Sequence, residues 1–431
     1  MTMADHVFAG FGFGPIQGGL FVKEAFQSGN FRRIVVAEID QELVDAVRTN
    51  GGSYYVNVAK ANGIDALKID NVELLNPNVA GDNRILREVL AESTEIATCL
   101  PSVDFYDSGG ASSVASLIAD GLRNSRARAT IIYTAENNNR AAEILEQTVA
   151  NQIGALPQGK VQFLNTVIGK MSRVVSDPVE IAEASLVPIA PGIDRAFLVE
   201  EFNRILVTRA RLSGFGPGIE VFIEKDDLLL FEEAKLYGHN AVHALLGFIG
   251  AVKGHTKMTE LKKDKAIMQI GRKAFLEECG TALIKKYAHL EDELFAEAGF
   301  RNYAEDLLER MTNPYLADTV ARVCRDVVRK LGINERIFGT MQLALEHGVE
   351  PKNMALGAMA GIAVLLQKAK ENNLPSDLRF GDWRRLDGAR IERIVNWIWN
   401  EQSNQYSERL IEYTRNAKER LQELTANHRE S

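Results

Sequence analysis

Cysteine is scarce. Cys99, Cys279 and Cys324 are the only three in 431 residues, and no two lie close together. That spacing offers neither a zinc ribbon nor a CxxC redox pair, and it fits a reducing setting, so the cytoplasm is the expected location. The opening "MTMADHVFAGFGFG" lacks a basic segment followed by an apolar core, so no secretory signal is expected. No run of 18 uninterrupted apolar residues occurs, so no membrane span is expected. Positive charge is also in deficit. Fifty Lys+Arg against 58 Asp+Glu leave a net charge of -8, which argues against nucleic acid as a partner. An anionic small molecule stays possible, because a local basic pocket can sit on an acidic chain. Internal repeats and low-complexity tracts are absent.

What is present is ordinary globular sequence, 46% hydrophobic and 25% charged, long enough for two or three domains. The first part alternates strand-like and helix-like stretches. "HVFAGFGFG" reads as a strand and glycine turn, and "LFVKEAFQSG" as a helix closed by Gly29. "RRIVVAEID" reads as a second strand and "QELVDAVRTNGG" as a second helix. "EIATCLP", "ATIIYTAEN" and "VQFLNTVIG" are further strands. This alternation predicts an α/β domain with a mostly parallel, Rossmann-type sheet. After "LLLFEEAKLYGHN" the pattern is almost all helical, and the tail from Arg390 keeps helical periodicity. The expected division is a dinucleotide-binding domain over 1–193 and a mainly α-helical substrate and catalytic domain over 194–431.

"FAGFGFGPIQGG" follows an apolar strand and precedes a helix. Gly10 and Gly12 supply the first two glycines of a dinucleotide loop, one for the tight turn and one for close approach of backbone to pyrophosphate. The third position is irregular, with Gly14 followed by Pro15. Proline suits a first helical turn, so the helix N-terminus can still face an anion. Glu38 ends the second strand. An acid there accepts hydrogen bonds from ribose hydroxyls and repels a 2′-phosphate, which favours NAD over NADP. Arg32 and Arg33 lie about 17–20 Å away along an extended strand and do not suit a 2′-phosphate site.

"KLYGHNAVH" places Lys235, Asn240 and His243 at roughly 0°, 140° and 80° around an ideal helix. Alone, the pattern reads as a partly exposed helix face. After a nucleotide-binding domain it reads as the polar half of a hydride-transfer site. Such a site needs a base for the alcohol proton and donors for the reacting oxygen. A lysine serves as the base once its pKa falls from about 10.4 toward roughly 7–8. The other histidines, His6, His239, His255, His289, His347 and His428, show no metal-ligand spacing with acids, so no metal is expected.

These segments together resemble the polyol-specific long-chain dehydrogenases, in particular their mannitol-1-phosphate 5-dehydrogenase branch, over most of the chain. The family's lysine, four residues, asparagine, two residues, histidine pattern fits Lys235, Asn240 and His243. "IIYTAENNNR" matches the family's segment bearing a second oxyanion asparagine, which corresponds to Asn137. "NPYLADTVARVCRDVVRKLGINERI" is similar to a further family stretch. The resemblance implies a Rossmann domain followed by a helical domain, with the active site between them. It implies NAD, no metal, and hydride transfer between a polyol carbon and nicotinamide. Lys235 would be general base in oxidation and acid in reduction. Asn137 and Asn240 would steady the reacting oxygen, and His243 would orient substrate. Four features depart from the family: "GPIQGG" in the glycine loop, His239 at a usually apolar position, Ser172 where aspartate is common, and a long C-terminal helix.

Arg329, Lys330 and Arg336 cluster within eight residues. They fit a phosphate or carboxylate subsite, and equally a solvated basic patch. The leading reading is an NAD-dependent polyol or polyol-phosphate dehydrogenase, acting on a polyol, a ketose or their phosphates, as a monomer or homodimer. A fructuronate- or tagaturonate-type sugar-acid oxidoreductase is the enzymatic alternative. A non-catalytic NAD(H)-binding sensor is the alternative of another class. A β-hydroxyacid dehydrogenase fits less well, because its lysine–asparagine spacing is shorter.

Overall fold

The computed structural model describes residues 6–202 and 205–426; His428 lies outside them. The chain divides into two compact units, Met1–Leu229 and Leu230–Ser431. Among the described residues, no helix is long and apolar enough to cross a membrane.

The first unit has twelve strands among its described residues. They are β1 (His6–Phe11), β2 (Phe31–Ala37), β3 (Tyr54–Ala59), β4 (Ile64–Ile69), β5 (Val72–Leu75), β6 (Glu95–Thr98), β7 (Thr130–Thr134), β8 (Val161–Val167), β9 (Ser172–Val175), β10 (Ala196–Glu200), β11 (Ile205–Thr208) and β12 (Phe222–Lys225). Eight form one sheet in the order β12-β11-β8-β7-β6-β1-β2-β5. From β5 to β8 all neighbours are parallel. Taken in chain order, those six strands run 3-2-1-4-5-6, the doubly wound dinucleotide-binding order, with its switch point between β1 and β6. β11 joins antiparallel to β8, and β12 parallel to β11.

Alternation along β1 builds two cores. Val7, Ala9 and Phe11 face the helices Ala80–Glu92, Val114–Arg123 and Ala141–Ile153 through Leu86, Leu117, Ile118 and Leu145. Phe8 faces the other way, toward Leu20, Phe21, Tyr54 and Phe197. The last two belong to a second sheet, β4-β3-β10-β9, which the alternation of strand and helix in the sequence did not suggest. Its strands come from two distant segments, so neither segment alone carries the pattern of a sheet.

The expected boundary at 193 does not coincide with the division at Leu229. β10 pairs with β3, β11 pairs with β8, and β12 lies beside β11, so these late strands complete sheets begun much earlier. They are four or five residues long, too short to stand out in a sequence that is turning helical.

The second unit is mainly helical. Its central helix, Lys352–Gln367, is buried from Asn353 to Leu366 and apolar on nearly every side, the signature of a helix enclosed by others. The carboxylate of Glu278 caps it, accepting from the backbone N–H of Asn353 at 2.6 Å and of Met354 at 2.8 Å. Those donors belong to the first turn and have no partner within the helix. The tail does not form one helix. Gly388–Ile398 and Ser407–Ala426 are separate, broken where Asn400 and Glu401 adopt φ of 52° and 59°. Trp399 of "VNWIWN" is core: it is buried, stacks edge-on against Phe338, and donates its indole N–H to the Leu331 carbonyl at 3.2 Å.

Candidate functional site

In the first unit, the carboxyl ends of β1, β2 and β6 open onto a cavity of about 590 Å³, bordered by Gly12, Phe13, Gly14, Glu38, Cys99 and Leu100 among others. A cleft at the switch point of a parallel sheet is where this architecture takes its ligands. The glycine loop is shaped for it. Gly12 has φ of 79°, and a Cβ there would lie 2.8 Å from the Cys99 carbonyl oxygen. A Cβ on Gly10 would overlap the Gln17 amide. Gly14 differs, because a Cβ there would meet nothing within 4 Å. It borders the cavity, so its bare backbone leaves room for a ligand and serves no packing need.

Close packing of the helix falls to residues further on. A Cβ on Gly18 would lie 2.9 Å from the Phe197 ring, and one on Gly19 would lie 2.5 Å from Val199. The "QGG" of "GPIQGG" thus does what a third fingerprint glycine does, displaced along the chain, and Gln17–Val22 is wound as a π-helix. The glycine pair was visible in the sequence; its partner strand β10 was not.

Glu38 lies at the cavity edge. Its carboxylate accepts from the Phe13 N–H at 2.6 Å and the Asp40 N–H at 2.9 Å, which ties the end of β2 to the glycine loop. Arg32 and Arg33 are engaged elsewhere, with Glu92 and Glu73. Asn137 is exposed in the loop after β7. Its neighbour Glu136 is buried and accepts from Thr98 Oγ1, Tyr106 Oη and the Leu100 N–H at 2.9, 2.5 and 2.8 Å. These bonds pin the ends of β6 and β7 together and set where the Asn137 loop begins. Ser172 stands in β9, opposite Val199 of β10.

In the second unit, the Lys235 stretch is not an ideal α-helix. Ala234–Asn240 is π-helical, between α-helical Leu229–Glu233 and Ala241–Lys253. In a π-helix the backbone bonds run i to i+5. Asn240 is five residues after Lys235, so the wider turn brings it over Lys235. His243 follows one α-turn later, at i+3 from Asn240. The ideal-helix angle of roughly 140° between Lys235 and Asn240 is therefore corrected. By this geometry the three positions fall on one face. Thr340 Oγ1 lies 2.5 Å from the Arg336 carbonyl of its own helix and 3.1 Å from the Tyr237 carbonyl of the widened turn, so its single hydroxyl proton sits between the two.

Lys235 keeps partial solvent access. Burial pulls its pKa down to about 8; nearby Glu232 opposes this and Arg336 adds to it. His239 is buried, its ring 6.2 Å from that of His243. Burial, with the nearby Arg310 charge adding to it, holds it well below the usual histidine range. It is therefore a neutral inward-facing group, which is how a histidine occupies an apolar position. His243 Nε2 lies 3.2 Å from Asp318 Oδ2, a contact within reach but not aligned as a full hydrogen bond. Arg322 grips the same carboxylate through Nε at 2.6 Å and Nη2 at 2.8 Å. Burial alone would raise Asp318. The contacts with His243 and Arg322 outweigh it and hold the carboxyl well below the usual range. Asp318 is 75 residues from His243 in sequence, so no local pattern could have paired them.

The three residues read as an anion subsite do not act as one group. Lys330 is buried, and its ammonium donates to the Val323 carbonyl at 2.6 Å. Burial lowers its pKa to about 8. Arg329 is half exposed, near Asp326 and Glu335. Arg336 is mostly buried, with Glu335 no nearer than 3.7 Å and its Nε without a hydrogen bond. Of the three, Arg336 is the one whose charge reaches Lys235.

Residues 227–423 match the model of the mannitol dehydrogenase C-terminal domain. The helical unit is therefore similar to that domain. Beyond that unit, similarity extends along most of the chain to a mannitol-1-phosphate 5-dehydrogenase of Buchnera aphidicola subsp. Acyrthosiphon pisum. It is 27% identical over 368 residues, spanning 85% of this chain and 87% of that protein. The fold matches a D-sorbitol dehydrogenase solved in substrate-free form, with a TM-score of 0.75, 13% identity, and coverage of 99% of this chain and 95% of that one. It also matches the mannitol 2-dehydrogenase of Pseudomonas fluorescens, solved as a ternary complex with NAD and D-mannitol. There the TM-score is 0.70 and the identity 15%, with coverage of 99% and 94%. The first unit is thus Rossmann-type in its sheet order, and the second is similar to the mannitol dehydrogenase C-terminal domain.

Proposed function

We propose that this protein is an NAD-dependent oxidoreductase acting on the CH–OH group of a polyol or polyol phosphate. The observation that carries the reading is Lys235, drawn to a pKa of about 8 on a π-helical turn that aligns it with Asn240 and His243. A base near neutrality can take the alcohol proton and return it in the reverse direction. The amide of Asn240 donates to the oxygen as its charge develops, and Asn137 supplies a second amide. His243 orients the substrate.

The first unit fits NAD. Gly12 and Gly14 let backbone approach the pyrophosphate, and Glu38 is held where its carboxylate can meet ribose hydroxyls and repel a 2′-phosphate. When bound, the nicotinamide accepts or supplies the hydride.

Arg336, mostly buried and with its Nε unbonded, favours a substrate that carries an anion. Phosphate and carboxylate both satisfy a guanidinium, so a keto-uronate remains the second reading. The test is NADH oxidation against ketoses, ketose phosphates and keto-uronates. Turnover confined to ketoses and their phosphates is expected. Turnover of keto-uronates alone would replace this reading with the sugar-acid one.

A further inference from the structure

Asp318 and Arg322 form a fixed pair beside His243. The backbone around Asp318 is tied on both sides. Its carbonyl accepts from the Met258 N–H at 2.9 Å, Val320 N–H donates to the Thr256 carbonyl at 2.9 Å, and Thr319 bridges to Lys257. The side chain, 5% exposed, is gripped in a fork by Arg322. One oxygen of that fixed carboxylate faces His243 Nε2 at 3.2 Å.

We infer that Asp318, clamped by Arg322, is a positioning residue that fixes His243 as the Nε2–H tautomer and leaves Nδ1 as a hydrogen-bond acceptor for a substrate hydroxyl. An ionised carboxylate can only accept, and a guanidinium can only donate. The nitrogen facing Asp318 must therefore carry the proton. In a neutral imidazole the other nitrogen then carries the lone pair. A long contact without substrate is ordinary for such pairs and tightens when substrate binds. The consequence is a division of labour. Asn240 donates to the reacting oxygen, while His243 accepts from a hydroxyl on a neighbouring carbon. The substrate class is accordingly one with a free hydroxyl beside the reacting carbon. This kinetic consequence rests on the dehydrogenase reading; the tautomer does not.

The test has two arms on the full chain. Nitrogen-15 spectra of the histidine side chains, with His243→Gln used to assign the signal, report which ring nitrogen is protonated. The wild type is expected to show Nε2–H, and Asp318→Asn a shift toward Nδ1–H, because an amide can donate to the ring. In the kinetic arm, Asp318→Asn and Arg322→Gln are each expected to lower kcat/KM by about tenfold or more, as a wrong tautomer does elsewhere. Neither should lower it further in a His243→Ala background, because both act through that ring. If Asp318→Asn does not fold, Arg322→Gln carries the same cycle, since Arg322 is 37% exposed. An Nδ1–H wild type, or losses that add fully in the His243→Ala background, would overturn the inference. A wild type that turns over no polyol or ketose would refute the dehydrogenase reading, while the spectra still decide the tautomer.

Discussion

At the scale of single residues, protonation governs the proposed chemistry. Lys235 must be neutral to take an alcohol proton and charged to return it. With its pKa near 8, kcat/KM for polyol oxidation should rise with pH and level off above about 8. Ketose reduction should do the opposite, falling as pH passes 8. Pre-steady-state or steady-state pH profiles in both directions check this. A flat profile for both would remove Lys235 as the proton-transfer group. The residue types were legible beforehand: Lys235, Asn240 and His243 stand within nine positions, and Glu38 closes a strand. The groups that tune them were not. Asp318 meets His243, Arg322 holds Asp318, and the charge of Arg336 reaches Lys235, all from far along the chain, and sequence spacing holds no record of that approach.

At the scale of elements, the π-helical turn is the feature an ideal helix missed. Propensity and periodicity set where a helix runs, but one inserted residue per turn is decided by what packs around it. Gly238 lies against Phe275, where a Cβ would come within 3.1 Å, and Thr340 bonds the Tyr237 carbonyl. The glycine loop makes a second element-scale point. Gly14→Ala should leave the melting temperature close to wild type, because the added methyl meets no protein atom, and should raise KM for NAD. Gly19→Ala should do the reverse. Its methyl would press on Val199, at a cost of about 1–3 kcal/mol, lowering the melting temperature before it affects the cofactor. Thermal melts and cofactor titrations of the two variants separate these roles. Equal melting temperatures would show that Gly19 is not a packing glycine.

At the scale of the whole molecule, the parallel sheet and the helical second unit are legible in periodicity, since most of the parallel strands and the longer helices show their own repeat. The second sheet and the division at Leu229 are not, because β9 to β12 are short and because β10 joins β3, and β11 joins β8, from far along the chain. Cofactor binding should be confined in the same modular way. NADH present at about 100 times its Kd stabilises the state that binds it by about 2.7 kcal/mol. Hydrogen exchange should therefore slow around the glycine loop, the end of β2 and the residues after β6. It should stay unchanged along Lys352–Gln367, whose backbone is already buried. Protection spread evenly over that helix would argue for a different binding site.

The central claim is that Lys235 carries the proton in a hydride-transfer reaction. The most direct measurement compares wild type and Lys235→Met for NADH binding, by fluorescence titration, and for turnover of whichever ketose or ketose phosphate the wild type reduces. The account predicts NADH affinity within about twofold of wild type, and turnover reduced by at least about 100-fold, the lower end of what a positioned acid or base contributes. Near wild-type turnover in the variant would contradict it, whatever the substrate.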